Sequence, residues 1–107
     1  MITVAVKNRN AEATPLSPVT SGAVGIPVEF VFSDDWEGLT KTAVFKGSDE
    51  VREVALADNA CEVPEEVLTE SGGMLWVGVY GSDGNTVIPT NWALVGRIEE
   101  GTVIAAP

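Results

Sequence analysis

Asp34, Asp35 and Glu37 form the densest cluster of side chains that could do chemistry. Three carboxylates in one turn could offer a hard cation such as calcium the oxygens it wants. Their spacing follows no calcium-loop pattern, and the internal glycine of such a loop is missing. The cluster therefore reads as a solvated turn whose acids bond nearby backbone. Asp58 and Asp83 stand singly in turns and read the same way. Glycoside hydrolysis needs two acids roughly 5–10 Å apart flanking a cleft. Among sixteen acids some pair will meet that distance, but a small domain rarely forms the cleft.

The chain has no His and one Cys. It thus lacks the usual general base at neutral pH and the commonest zinc ligand. A lone Cys61 closes no internal disulfide. Its acidic neighbours Glu62, Glu65 and Glu66 oppose a thiolate, so it reads as a structural thiol rather than a reactive one. No Ser lies in a nucleophile elbow, and no glycine run matches a phosphate loop. The reading is therefore no catalytic residue, no metal ligand set, no cofactor and no enzyme.

Trp36, Trp76, Trp92 and Tyr80 could form a flat platform for sugar rings. Trp76 lies in an apolar run, which places it in the core. Trp36 and Trp92 each stand beside a turn or strand entry, where they would plug one end of the fold.

Charge narrows the partners. Six Lys and Arg against sixteen Asp and Glu leave the 107-residue chain at −10. That balance disfavours nucleic-acid backbones and anionic membrane surfaces. No run of ~18 apolar residues marks a membrane helix, and Met1 to Val6 lacks the pattern of a secretion signal. The length suits one domain, expected over 1–101, with 102–107 as a tail or the start of a linker.

The elements that must position these residues are strands. Ile2, Val4 and Val6 alternate with Thr3, Ala5 and Lys7, as a half-buried strand requires. Asn8 to Thr14 is polar and reads as a loop, and Pro15 and Pro18 bracket an edge or connection. Val28, Phe30 and Phe32 share one face of the next strand. Ser33 to Gly38 turns into a strand over Lys41–Lys46, and Gly47 to Glu50 reads as a hairpin loop. Val51, Val54 and Leu56 belong to one strand, whose uneven spacing suggests a bulge. Ala57 to Asn59 turns, and Pro64 to Leu68 forms a single helical turn with Pro at its first position. Met74 to Tyr80 is apolar on both faces, which suits a central strand. Asp83-Gly84 marks a hairpin leading to strands over 86–89 and 92–98. Many short strands with frequent turns predict an all-β fold, an antiparallel immunoglobulin-like β-sandwich with one short helical turn.

Two strings go beyond composition. One is Val28 to Leu39, Val-Glu-Phe-Val-Phe-Ser-Asp-Asp-Trp-Glu-Gly-Leu, continuing into Lys41-Thr42-Ala43-Val44-Phe45. The other is Ile88-Pro89-Thr90-Asn91-Trp92-Ala93-Leu94-Val95-Gly96-Arg97-Ile98, preceded by Gly78-Val79-Tyr80. Over residues 24–101 the chain resembles the small β-sandwich domain at the N-terminus of fibre-like structural proteins of tailed phages and prophages of Gram-positive bacteria.

The resemblance implies a virion protein that anchors a fibre or baseplate component, often as a trimer. It also implies partners among capsid, portal or tail proteins. Members carry a coiled coil or receptor-binding region downstream, whereas this sequence ends at Pro107. Both an anchor domain and a small decoration or head-fibre subunit fit that length. Trp36, Leu39, Trp92 and the first strand, through Ile2 and Val4, are the expected fold-defining or interface residues. The alternative function is a carbohydrate-binding module for host-surface glycans. It requires at least two exposed rings on one face.

Overall fold

The computed structural model of the chain describes residues 2–14 and 18–102. Its strands are β1 (Ile2–Lys7), β2 (Asn10–Thr14), β3 (Val19–Thr20), β4 (Pro27–Phe32), β5 (Thr40–Gly47), β6 (Glu50–Ala55), β7 (Ala60–Glu62), β8 (Met74–Ser82), β9 (Val87–Pro89) and β10 (Ala93–Glu99). They form a four-stranded sheet in the order β2-β1-β4-β7 and a six-stranded sheet in the order β3-β10-β8-β5-β6, with β9 paired to β8. The fold is the expected all-β sandwich. Two short 3-10 turns interrupt it, Asp34–Trp36 and Glu65–Leu68. The second is the expected helical turn, with Pro64 at its N-cap.

Not every pairing is antiparallel. β1 and β4 run parallel, as do β3 and β10. The reason is a change of sheet. After the β1–β2 hairpin the chain contributes β3 to the opposite sheet, then returns as β4 beside β1 in the same direction.

The core lies between the sheets. Val4, Val6, Val28, Phe30, Phe45, Leu75, Val77, Val95 and Ile98 fill it, and no polar or charged residue is buried among the described residues. Each such aliphatic or aromatic side chain contributes about 1.5–3 kcal/mol on burial. Ile2 is buried too, so β1 supplies core residues along its whole length.

Residues 10–14, read as loop, form β2. Ala11 and Ala13 are buried and alternate with exposed Asn10, Glu12 and Thr14. Alanine is too small to advertise a strand, but it suits one lying close against the opposite sheet, and β2 packs on β10. The bulge expected among Val51, Val54 and Leu56 is absent. β6 pairs with β5 in unbroken register, with Val51 on the outer face and Arg52 on the inner side beside Val54. The irregularity falls instead between Leu94 and Gly96 on β10. The β5–β6 turn has Ser48 and Asp49 both at positive φ, 52° and 58°. That conformation suits the right-handed twist of a tight hairpin.

Candidate functional site

The distinctive sequence strings first build a lock. Trp36 is 1% exposed, and its indole N–H donates to the Asn8 carbonyl at 2.6 Å. Asn8 N–H donates to Ser33 Oγ at 2.9 Å, and the Ser33 hydroxyl donates to Asp35. The acidic turn thus ties the β1–β2 hairpin to the end of β4. Gly81 makes the close approach possible. A Cβ there would lie 2.8 Å from Leu39 Cδ1 and 2.9 Å from Trp36 Cζ3.

The second string clamps the other end. Thr90 N–H donates to the Val79 carbonyl at 2.9 Å, and Val79 N–H donates to Thr90 Oγ1 at 3.0 Å. Asn91 Oδ1 accepts from Ala11 N–H at 2.8 Å, and its Nδ2 donates to Asn10 Oδ1 at 2.9 Å. The Asn91 side chain thereby caps an edge strand that would otherwise expose a backbone donor. The outer edge of the other sheet is guarded differently. β6 carries the Arg52–Glu50 ion pair, 2.6 Å, on its inner side. Both side chains are nearly half exposed at the sheet margin, and charge on an edge strand discourages pairing with another strand.

With Trp36, Ile2 and Val4 buried and Leu39 half-buried against the core, Trp92 is the anticipated residue that faces solvent. It is 43% exposed. Trp76, read as core, is instead half-buried on the outer face of the six-stranded sheet. The physical reason is parity. Leu75, Val77 and Val79 point inward, so Trp76, Gly78 and Tyr80 must point outward.

Strand register fixes the layout of that face. Val51, Lys46, Trp76 and Leu94 form one row across β6, β5, β8 and β10. Glu53, Val44 and Gly78 form the next, with Trp92 lying over Gly78. Ala55, Thr42, Tyr80 and Pro89 form the third. Lys46 Nζ stands 4.4 Å from the Trp92 ring centroid and 6.0 Å from that of Trp76. The Tyr80 hydroxyl donates to Glu53, and that bond raises the phenol above its ordinary pKa.

Two depressions open on this face. A slot of about 200 Å³ is bordered by Val44, Gly78, Tyr80, Pro89, Thr90 and Trp92. A broader groove of about 450 Å³ lies between the β5–β6 hairpin and residues 70–74, with Val51, Met74 and Trp76 among its walls.

Cys61 lies away from this face, on β7. Burial, and then the nearby Glu62 carboxylate, pushes its thiol up to about 11. Among the described residues no group of three or more His, Cys, Asp or Glu is arranged to hold a metal, and no helix is long and apolar enough to cross a membrane. Compared with known proteins, the chain matches no protein-family model and no curated sequence.

Proposed function

We propose that this protein is a structural attachment domain of a phage virion, acting by protein–protein contact with capsid, portal or tail components and with copies of itself. The observation that carries the reading is where solvent-exposed apolar side chains gather. Val24 and Val31 are exposed elsewhere, at 69% and 54%, but Val51, Met74, Val87 and Trp92, at 52%, 45%, 61% and 43%, make up four of the six large apolar side chains exposed among the described residues. Each of these four belongs to the six-stranded sheet or borders its outer face. Exposed apolar side chains grouped on one face mark interaction surfaces. Two of the four sheet edges offer less, since Asn91 caps β2 and charge guards β6. The broad groove walled by Val51, Met74 and Trp76 is the docking element.

A coat or fibre component must persist without catalytic upkeep, and a sandwich with a wholly apolar core meets that demand. The high negative charge keeps such a subunit soluble until it docks.

The test combines two measurements. Light scattering of the purified chain reports its oligomeric mass, and mass spectrometry with antibody labelling of purified virions from the host strain reports its location. Assembly in solution or labelling of virions supports the reading. Val51→Glu with Met74→Glu should then abolish that assembly or incorporation while the fold persists. A monomer absent from virions refutes it.

A further inference from the structure

The slot beside the broad groove has a different chemistry. Residues 90–92 pack directly over Gly78, where an added Cβ would stand 3.4 Å from the Asn91 carbonyl and Thr90 Oγ1 and 3.6 Å from Trp92 Cε3. Trp92, Thr90, Tyr80 and Pro89 line the slot. A volume of about 200 Å³ is the size of one six-membered ring. Both aromatic residues are set in place. Trp92 is held against Lys46, and Tyr80 is fixed through its hydroxyl to Glu53.

Two charged side chains stand beside this apolar slot, next to its lining residues. Glu53 is the cross-strand partner of Val44, which is itself opposite Gly78. Its carboxylate accepts from Tyr80, leaving lone pairs for further donors. The Lys46 ammonium, poised over Trp92, offers N–H donors beside the same row. An apolar side chain of a protein partner would strip water from both charges and return no hydrogen bond, which costs free energy. A sugar ring matches both halves of the site. Its C–H face packs on the aromatic rings, and its hydroxyls donate to Glu53 and accept from Lys46. The chain's charge of −10 selects against acidic sugars.

We propose that the Trp92–Tyr80 slot binds a single neutral pyranose ring of an oligosaccharide, with Glu53 and Lys46 taking its hydroxyls. This site borders the Val51–Met74 groove, sharing Lys46 with its wall, and its sugar chemistry does not depend on the attachment reading.

The three indole N–H signals in a ¹H–¹⁵N spectrum test it. Maltohexaose, cellohexaose and tri-N-acetylchitotriose, each raised to about 10 mM, cover sites down to weak millimolar affinity. At least one should move the Trp92 signal saturably and the Trp76 signal with it. Trp36, buried and bonded to Asn8, should stay still. Trp92→Ala should abolish the response seen at Trp76. Glu53→Gln keeps the shape but removes the charge, and should weaken binding about tenfold, the usual worth of a charged hydrogen bond. Met74→Glu, across the groove from Lys46, should leave the titration unchanged while disrupting any protein assembly. The proposal is overturned if none of the three sugars moves Trp92, if all three indoles move alike, or if Trp92→Ala binds as well as the parent. It is overturned equally if sugar binding is lost with Met74→Glu and kept with Glu53→Gln.

Discussion

Replacing Trp36 by Phe isolates the lock between the acidic turn and the first hairpin. The phenyl ring keeps an apolar body in place but removes the indole N–H and two ring carbons. Those carbons are fully buried, as Trp36 is 1% exposed. At about 0.8 kcal/mol per buried carbon, their loss costs roughly 1.5 kcal/mol. The bond from Trp36 Nε1 to the Asn8 carbonyl, 2.6 Å, adds about 1 kcal/mol. The expected destabilisation is thus about 2.5 kcal/mol, a large share of a small domain's stability. In a chain of this length it lowers Tm by roughly 10–20 °C.

Urea unfolding followed by circular dichroism measures the effect, with Trp92→Phe as the control. The control side chain is 43% exposed and makes no such bond, so it should cost under about 0.5 kcal/mol. Gly81→Ala adds a second arm. Its Cβ would stand 2.9 Å from Trp36 Cζ3, and overpacking of that kind costs about 1–3 kcal/mol. Phe at 36 withdraws the clashing atom, so part of the Gly81→Ala penalty should vanish in the double variant. Equal costs for Trp36→Phe and Trp92→Phe would refute the lock, as would strict additivity with Gly81→Ala.

Asn91→Ala leaves the Ala11 backbone donor without its partner, and should cost about 1–3 kcal/mol. Hydrogen exchange should show the Ala11 amide losing protection before those of β8, whereas unchanged protection would refute the cap. The Cys61 thiol, pushed up to about 11 mainly by burial, should alkylate slowly at pH 8 and speed up only near that value. The raised value also fixes the sign of its linkage to stability. The neutral thiol's contribution is full below the ordinary 9.0 and declines as pH rises toward about 11. Cys61→Ser should flatten that alkaline decline, and an unchanged alkaline limb would assign it to other groups.

Much of the fold was legible in the sequence because period-2 alternation encodes a strand facing a core. Ile2, Val4 and Val6, then Ala43 and Phe45, declared their strands this way, and Pro64 with its following glutamates declared the short helical turn. β2 stayed hidden because alanine's small side chain gives a weak apolar signal. The parallel pairing of β1 with β4 was invisible as well, since alternation carries no information on strand direction or sheet assignment.

The candidate site divides along the same line. By itself the sequence determined which reactive side chains the chain has to work with. It has no His and a single Cys, so the commonest zinc ligand and the side chain that titrates near neutrality are absent, and it carries a net charge of −10. It also supplied the aromatic residues from which a binding face could be made. Which of them face solvent was decided only by the tertiary structure. Met74 to Tyr80 is apolar on both parities, so either set could have pointed inward. Packing against the opposite sheet took Leu75, Val77 and Val79 and left Trp76, Gly78 and Tyr80 outside. The register of β5, β6, β8 and β9 then brought Lys46, Glu53 and Tyr80 together, and the Asn91 clamp set Trp92 over Gly78. Contacts between residues far apart in the chain depend on which strands become neighbours, and local sequence pattern does not specify that choice.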